Sequence, residues 1–303
     1  MKIKERQIGH MFMVAETSLY ALFPIIVAYV TKVMPPILFA GVSTLVAAVF
    51  LGIYLLATRG FKNLEIKKLR KHILIVTIFI VVLPSIFIFW GSSITSGLNT
   101  AILLQSEMFF AIFICGFFAC ESITWNKILA AILIVSGSLL VMYEKGGEVN
   151  YGDLLIILGT VFLPIGNIYA KKALELTNPA LLLFARSFLG GIVLILISFI
   201  FEHSYQSLWP DLLKNYPLIL INGAVVYCLS KLLWYEGLKR IEISEASLIS
   251  LGIYPIISMI LAIIFLNETP LPKHIIGLGV ILFGVFLAVQ KNITNLRNSD
   301  QSF

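Results

Sequence analysis

Residues 99–121 read NTAILLQSEMFFAIFICGFFACE, and residues 246–268 read ASLISLGIYPIISMILAIIFLNE. The two stretches lie 147 residues apart, and their alignment continues without a gap as far as residues 142 and 289. Upstream, a shift near 144 places Pro35 on Pro179. Self-similarity over this length predicts a chain made of two related halves. The matched pairs are Leu104 with Leu251, Glu107 with Tyr254, Phe118 with Phe265, Glu121 with Glu268, and Gly137 with Gly284.

The composition is that of a chain that lies in lipid. Apolar residues make up 59% of the 303 residues and charged residues 13%, whereas soluble proteins carry about 25% charged residues. The mean hydropathy is +0.98. The three cysteines lie within apolar runs and give neither a metal-binding spacing nor a disulfide framework. The first apolar run is long enough to span a bilayer, so we expect no cleaved signal peptide.

Ten apolar stretches have about the length that a membrane-spanning helix needs, roughly 17–25 residues. The connections between them are short, so we expect no separate soluble domain. The predicted spans cover residues 10–31, 35–57, 73–94, 98–119, 128–143, 153–170, 179–201, 217–236, 245–266 and 274–290.

The basic residues predict the orientation of these spans. If the N-terminus is cytoplasmic, sixteen Lys and Arg residues fall in cytoplasmic segments and only four fall outside, namely Lys32, Lys145, Lys214 and Lys273. Basic residues accumulate in the cytoplasmic loops of membrane proteins, so both termini are predicted to be cytoplasmic. The net charge of +6 then indicates loops that face anionic lipid rather than nucleic acid.

Each half contains five spans, an odd number, so the second half must enter the membrane from the opposite side. We therefore predict an all-α integral membrane protein of ten transmembrane helices. It is built as two inverted five-helix repeats, at residues 1–147 and 148–303. Many secondary transporters have this plan and bind their substrate near the midplane of the membrane, between the halves.

Three stretches resemble signatures of the EamA-type members of the drug/metabolite transporter superfamily. Residues 99–121 are similar to the first-half signature, which has an Ala-rich start, an EP pair and an apolar run ending in GE. EASLISLGIYPIISMILAIIFLNETP is similar to the second-half copy, and NPALLLFAR to a segment of the seventh helix. Met108 replaces the usual Pro, and Cys120 and Asn267 replace the usual Gly. The resemblance implies alternating access and a central cavity lined by helices 1, 3 and 4 and their mirrors 6, 8 and 9.

Polar residues within the spans recur at helical spacing and therefore share faces. Because a polar side chain that faces lipid is costly, each such face is expected to point into the protein. Together the faces predict a wet, partly aromatic substrate cavity near the midplane. Its candidate residues are Glu16, Tyr20, Trp90, Thr100, Glu107, Asn167, Tyr227, Lys231, Trp234, Ser250 and Tyr254.

Glu107 lies close to the middle of its span, and three roles are open for it. A carboxyl group removed from water can load and release protons, which would make Glu107 a proton-coupling residue. It can instead be the counter-ion of a cationic group on the substrate, or a structural carboxyl group hydrogen-bonded to a neighbouring helix. Lys231 is open in the same way between a substrate contact and a structural ion pair. Arg186, one turn before Gly190, is interpreted as a packing residue.

Other residues in the spans are assigned to structure. Glu121 and Glu268 end spans at opposite faces of the membrane and are predicted to cap or tie loop ends. Four prolines predict interrupted hydrogen bonding within helices, namely Pro24, Pro84, Pro164 and Pro255. Four glycines predict either close packing within the bundle or a homodimer seam, namely Gly137, Gly277, Gly279 and Gly284.

The sequence thus predicts a secondary transporter of the cytoplasmic membrane that moves a small polar or amphiphilic metabolite. Acidic and basic groups both occur within the spans, which favours a zwitterion such as an amino acid. The alternatives are proton-coupled export of organic cations or drugs, and a non-transporting subunit for membrane assembly or lipid handling. The sequence contains no motif of the common catalytic or metal-binding classes, so we expect no enzymatic activity, cofactor or metal ion. The expected partners are the small-molecule substrate and membrane lipids.

Overall fold

The computed structural model describes residues 2–60, 66–118, 124–143, 150–203, 208–241 and 243–299. Every regular element in these ranges is a helix. The α-helices are α1 (Lys2–Tyr20), α2 (Phe23–Val30), α3 (Pro36–Ala57), α4 (Ile66–Val76), α5 (Leu83–Ile94), α6 (Gly97–Leu103), α7 (Glu107–Phe118), α8 (Trp125–Met142), α9 (Tyr151–Leu174), α10 (Pro179–Phe201), α11 (Leu208–Leu220), α12 (Ser230–Leu238), α13 (Ile243–Leu266) and α14 (Pro272–Ser299). Two π-helical segments, Thr77–Val82 and Ile221–Leu229, and one 3₁₀ turn, Leu104–Ser106, continue neighbouring helices into each other.

Eight helical stretches of the described chain are long and apolar enough to cross a membrane. They cover Glu5–Val30, Pro36–Ala57, Leu69–Ile94, Gly97–Ile114, Trp125–Met142, Tyr151–Leu174, Pro179–Phe201 and Trp209–Leu238. Two shorter apolar helices follow, Gly252–Leu266 and Pro272–Ala288. These stretches overlap the predicted spans, and the largest difference is at the eighth, which begins at Trp209 rather than near residue 217. The total of ten transmembrane helices and the cytoplasmic termini stay predictions.

Two of the four prolines within spans coincide with interruptions of α-helical geometry. The break between α1 and α2 lies just before Pro24, and the first π-helical segment lies just before Pro84. Proline has no N–H to donate, so it leaves a carbonyl group of the preceding turn without its helical partner. Pro164 and Pro255 instead lie inside α9 and α13, which continue through them.

The most extensive helix contacts join the first part of the chain to the second. They pair α8 with α14, α3 with α10, α5 with α9, and α1 with α12. Each pair combines one helix that precedes residue 143 with one that follows residue 150. The two parts of the chain are therefore interleaved and do not fold as separate bodies.

Glycines allow the close approach of α8 and α14. A Cβ at Gly137 would lie 2.6 Å from Ile281 Cγ1 and 2.7 Å from the carbonyl oxygen of Gly277. A Cβ at Gly284 would lie 2.9 Å from the carbonyl oxygen of Ala130. These three glycines pack within the bundle, whereas the homodimer seam stays a prediction.

We expect Gly137→Ala to lower the thermal stability of the purified protein. The new methyl group must displace Ile281 or the backbone of α14, and such overpacking typically costs about 1–3 kcal/mol. The matched control is Gly279→Ala, because a Cβ at Gly279 meets no atom within 4 Å. Thermal unfolding in detergent measures both variants, and equal unfolding midpoints would contradict the packing role of Gly137.

The bundle has two ends, which we name after one residue at each. At the Glu268 end, where α13 connects to α14, α2 packs against α5, α6 and α13, and α6 also packs against α13. At the Arg240 end, where α12 connects to α13, two groups of helices have no extensive direct pairing with each other in the part of the chain that the structure describes. The α1 group consists of α1, α12 and α13, and the α9 group consists of α4, α7 and α9. Helix packing across the bundle therefore closes the Glu268 end.

Candidate functional site

A polar cluster lies between the α1 group and the α9 group. An ion pair and ring contacts connect its members on the α1 group, and a hydrogen bond connects its two members on the α9 group. Five helices contribute to it, which are α1, α7, α9, α12 and α13. The central polar cluster, as we call it, consists of Glu16, Tyr20, Glu107, Asn167, Lys231 and Tyr254.

An ion pair joins α1 to α12 within this cluster. Lys231 Nζ lies 3.0 Å from Glu16 Oε1, and the two side chains are 23% and 1% exposed. The Thr17 hydroxyl lies 3.3 Å from Glu16 Oε2 and donates to it. A buried charge without a partner is strongly destabilising, so Glu16 depends on Lys231.

An aromatic ring lies against the ammonium group of Lys231. Nζ lies 3.4 Å from the centroid of the Tyr20 ring, which is the geometry of a cation–π interaction. The Tyr20 ring also packs against Tyr254 at 5.3 Å and stacks on Phe23 at 5.6 Å. Periodicity within α1 did not predict Phe23, because the helix breaks between these two rings.

A residue of α13 supports the break between α1 and α2. Ser258 Oγ donates a hydrogen bond to the carbonyl oxygen of Ala21 over 3.1 Å. Ser258 lies one turn after Tyr254, so a single face of α13 contacts both the break and the Tyr20 ring. The orientation of Tyr20 is thus fixed from the second part of the chain.

Glu107 is the acidic residue that the α9 group contributes to the cluster. It begins α7, directly after the 3₁₀ turn, and its Oε1 accepts a hydrogen bond from Asn167 Nδ2 of α9 over 3.1 Å. The amide of Asn167 is neutral, so it gives the carboxyl group of Glu107 a hydrogen bond without an opposite charge. The hydrogen bond to α9 fits the structural role of Glu107, and the other two roles stay predictions.

The 3₁₀ turn separates Thr100 from Glu107. The two residues are seven apart and would share a face in a continuous α-helix. Thr100 is instead fully buried, and its hydroxyl bonds with the Ser92 hydroxyl at 3.2 Å and the Ser96 carbonyl oxygen at 2.9 Å. Its polar atoms are therefore used between α5 and α6.

The other predicted cavity residues occupy different surroundings. Tyr227 borders the cluster, since its ring lies 5.9 Å from that of Phe23. Trp234 packs against the buried cluster of Met13, Ile241 and Ala246. Trp90 on α5 is 52% exposed, and Ser250 on α13 is half-buried. Their part in substrate binding stays a prediction.

Three carboxylates accept hydrogen bonds from neighbouring segments at the Glu268 end. Glu268 caps α6 as predicted, whereas Glu121 lies outside the described residues. Two further carboxylates were not predicted. Asp153, fully buried, accepts from Thr95 Oγ1 at 2.5 Å and Asn99 Nδ2 at 2.9 Å. Glu202 accepts from two backbone N–H groups in the first turn of α3, at 2.8 and 3.0 Å. Both residues could have been found from the sequence, because each is an acidic residue at the border of a predicted span. At such a position a carboxylate can satisfy the free N–H groups at the start of a helix.

The chemistry of the central polar cluster is that of a binding site. It offers a compensated ion pair, two aromatic faces and a carboxylate whose partner is neutral. Within the described ranges, no group of three or more His, Cys, Asp or Glu residues could hold a metal ion. Groups of this kind can bind a ligand through charge and through cation–π contact.

Comparison with known proteins assigns the family. The model of the EamA-like transporter family matches residues 7–143 and matches again at residues 150–290. This chain belongs to the EamA-like transporter family. As an EamA-like transporter it is a multi-pass membrane protein and not an enzyme.

Relatives from distant organisms carry the same general description. The EamA-like transporter is 24% identical over 265 residues to an uncharacterized transporter of Archaeoglobus fulgidus, across 88% of this chain and 92% of the relative. It is 22% identical over 264 residues to the uncharacterized transporter YoaV of Bacillus subtilis, across 84% of this chain and 87% of the relative. One solved crystal structure, 14% identical, superimposes with a TM-score of 0.66 over 92% of this chain and 96% of its own. That likeness shows a shared fold.

Proposed function

We propose that this EamA-like transporter carries a small polar metabolite across the cytoplasmic membrane, and that an amino-acid-like zwitterion is its preferred substrate. The observation that carries the proposal is the presence of a basic and an acidic side chain in the central polar cluster, on different groups of helices. Lys231, paired with Glu16, belongs to the α1 group, and Glu107, bonded to Asn167, belongs to the α9 group. A zwitterion offers one complementary charge to each of them.

Glu107 is suited to the ammonium group of such a substrate. In the described part of the chain its hydrogen-bond partner is the neutral Asn167, on one of its two carboxylate oxygens. An ammonium group beside the other oxygen gains a charge-assisted hydrogen bond. The ring of Tyr254, which packs against Tyr20 in the same cluster, offers a further aromatic face for a cation.

Lys231 is suited to the carboxylate of the same substrate. Its ammonium group has three N–H donors, and one of them is directed at Glu16. The remaining donors can bind a carboxylate without loss of the ion pair. Both ends of a zwitterion then find partners, one on each group of helices.

Alternating access is the mechanism that the packing favours. At the Glu268 end α6 packs directly against α2 and α13, while in the described part of the chain no extensive helix pair joins the α1 group directly to the α9 group. The bias of basic residues assigns the Arg240 end to the cytoplasm, so this conformation faces inwards. Two inverted repeats, at residues 1–147 and 148–303, allow the mirrored packing to open the opposite end. The pairing of α5 with α9 and of α1 with α12 supports this symmetry.

A thermal-shift screen tests the substrate class. Each amino acid is compared with its methyl ester, which keeps only the positive charge, and with its N-acetyl derivative, which keeps only the negative charge. We expect the zwitterion to raise the unfolding midpoint and both derivatives to lose most of that shift. If the ester stabilises the protein as well as the amino acid does, the carboxylate is not recognised and the zwitterion proposal is wrong.

The second candidate is proton-coupled export of an organic cation. The presence of the Glu107 carboxyl group and of the Tyr20 and Tyr254 rings in one cluster favours it, since aromatic faces and a carboxylate together attract cations. Esters and other cations should then give the larger thermal shifts. A pH gradient across liposomes should drive their flux, and flux of cations that ignores the gradient would contradict proton coupling.

A further inference from the structure

Glu268 forms a two-point contact between helices that are distant in sequence. Its Oε1 accepts from the backbone N–H of Gly97 and its Oε2 from that of Leu98, both over 2.8 Å. The N–H groups in the first turn of a helix have no partner within that helix. The positive end of the helix dipole also favours a carboxylate. Glu268 therefore caps α6 from the end of α13, across 171 residues of sequence.

The backbone conformation at the end of α13 positions the carboxylate of Glu268. Asn267 has a φ of 53°, in the left-handed region, and the N–H of Glu268 bonds back to the carbonyl oxygen of Ala262 over 3.4 Å. A left-handed residue followed by this backward hydrogen bond is a common way for an α-helix to end. Asn tolerates that conformation better than other residues with a Cβ. The carboxylate is thus fixed to a rigid helix end and not to a loose loop.

The contact lies where the bundle is closed. A Cβ built on Gly97 would press on Leu266 and would lie 3.5 Å from both Ala28 Cβ and Glu268 Oε1. The end of α13, the start of α6 and the middle of α2 therefore meet at Gly97. Beneath this meeting point lies a small apolar cluster that includes the buried residues Ile25, Leu98 and Ala262.

These helices join the two groups at this end of the bundle. α6 leads into α7, which carries Glu107 in the α9 group, whereas α2 continues α1, and α13 also belongs to the α1 group. Separation of α6 from α2 and α13 would break both hydrogen bonds between Glu268 and the backbone N–H groups of α6. Each broken hydrogen bond has a charged acceptor, and such bonds are the stronger ones.

We propose that the cap of Glu268 on α6 is the latch of the gate at this end of the transporter. The latch holds the conformation in which the Glu268 end is closed, and it opens when α6 leaves α2 and α13. Its function is separate from substrate recognition, since it needs no ligand and lies outside the central polar cluster.

Glu202 provides a matched control for this latch. It caps the first turn of α3 with the same two-point geometry and at the same end of the bundle. Its own helix, α10, packs extensively along α3, and Gly41 and Gly191 lie at that contact. Loss of the Glu202 cap weakens one packed pair, whereas loss of the Glu268 cap removes a contact across the gate.

The test is the rate at which a maleimide labels a single cysteine at the gate. Ala28→Cys is introduced after Cys115, Cys120 and Cys228 are replaced by Ser, because Ala28 is 0% exposed and adjoins Gly97. In purified protein without substrate, we expect Glu268→Gln to raise the labelling rate by about tenfold or more. Glu202→Gln should leave that rate within about twofold, even if it lowers the unfolding midpoint to the same extent.

Two results would overturn the latch. One is an unchanged labelling rate in Glu268→Gln, and the other is an equal increase in Glu202→Gln, which would indicate general loosening. If Glu268→Gln does not fold, Gly97→Ala tests the same contact, because its methyl group crowds the Leu266 side chain where α6 meets α13 and lies beside Glu268 Oε1. That variant should also label faster. The measurement uses no substrate, so its failure would leave the proposed function standing.

Discussion

Lys231→Met is expected to destabilise this EamA-like transporter more than any other single change in the central polar cluster. It leaves the carboxylate of Glu16, which is 1% exposed, without the ammonium group that lies 3.0 Å away. Removal of one partner of a buried ion pair typically costs about 3–5 kcal/mol. The expected result is a lower unfolding midpoint in detergent and a smaller yield of folded protein in the membrane.

The double variant Glu16→Gln/Lys231→Met separates stability from transport. It removes both charges, and replacement of a whole buried pair by neutral groups is often close to neutral in free energy. We therefore expect most of the lost stability to return, while substrate flux stays low because the ammonium group is missing. A double variant as unstable as Lys231→Met would contradict the assigned cause, and normal flux would remove Lys231 from the binding site.

Glu107→Gln is expected to reduce zwitterion flux by about tenfold or more while stability changes little. A glutamine carbonyl oxygen can still accept the hydrogen bond from Asn167, which spans 3.1 Å in the structure. The substitution removes the charge that would pair with the substrate ammonium group, and about 1.4 kcal/mol of lost binding energy gives a tenfold effect. Substrate affinity from thermal shifts and flux in liposomes are measured on the same preparation.

Glu175→Gln is the control for Glu107→Gln. It makes the same chemical change at an exposed carboxyl group at the end of α9, away from the central polar cluster. We expect unchanged affinity, flux and unfolding midpoint. If Glu107→Gln keeps its flux but loses stability, Glu107 is a structural carboxyl group and the substrate contact lies elsewhere.

The spans were predictable because hydropathy and proline position define them locally. Proline suits the first turn of a helix, where its missing N–H is not needed. The predicted span at 35–57 accordingly corresponds to Pro36–Ala57, and the span at 179–201 to Pro179–Phe201. The capping role of Glu268 was also predictable, since an acidic residue directly follows an apolar run.

The partners of the site residues were not predictable, because they depend on long-range packing. Lys231 and Glu16 are 215 residues apart, and helical periodicity gives the face of a residue without giving the face it meets. Local breaks in α-helical geometry caused the other differences. The 3₁₀ turn rotated Thr100 away from Glu107, and the break after α1 brought Phe23 onto Tyr20.

The most direct measurement of the central claim is counterflow of an amino acid into liposomes that contain the purified protein. Liposomes loaded with unlabelled substrate should accumulate the labelled zwitterion transiently, far above empty liposomes, and Glu107→Gln should abolish most of that accumulation. The methyl ester and the N-acetyl derivative should not compete. Accumulation equal to that of empty liposomes for every zwitterion tested, or full activity in Glu107→Gln, would contradict zwitterion transport through the central polar cluster.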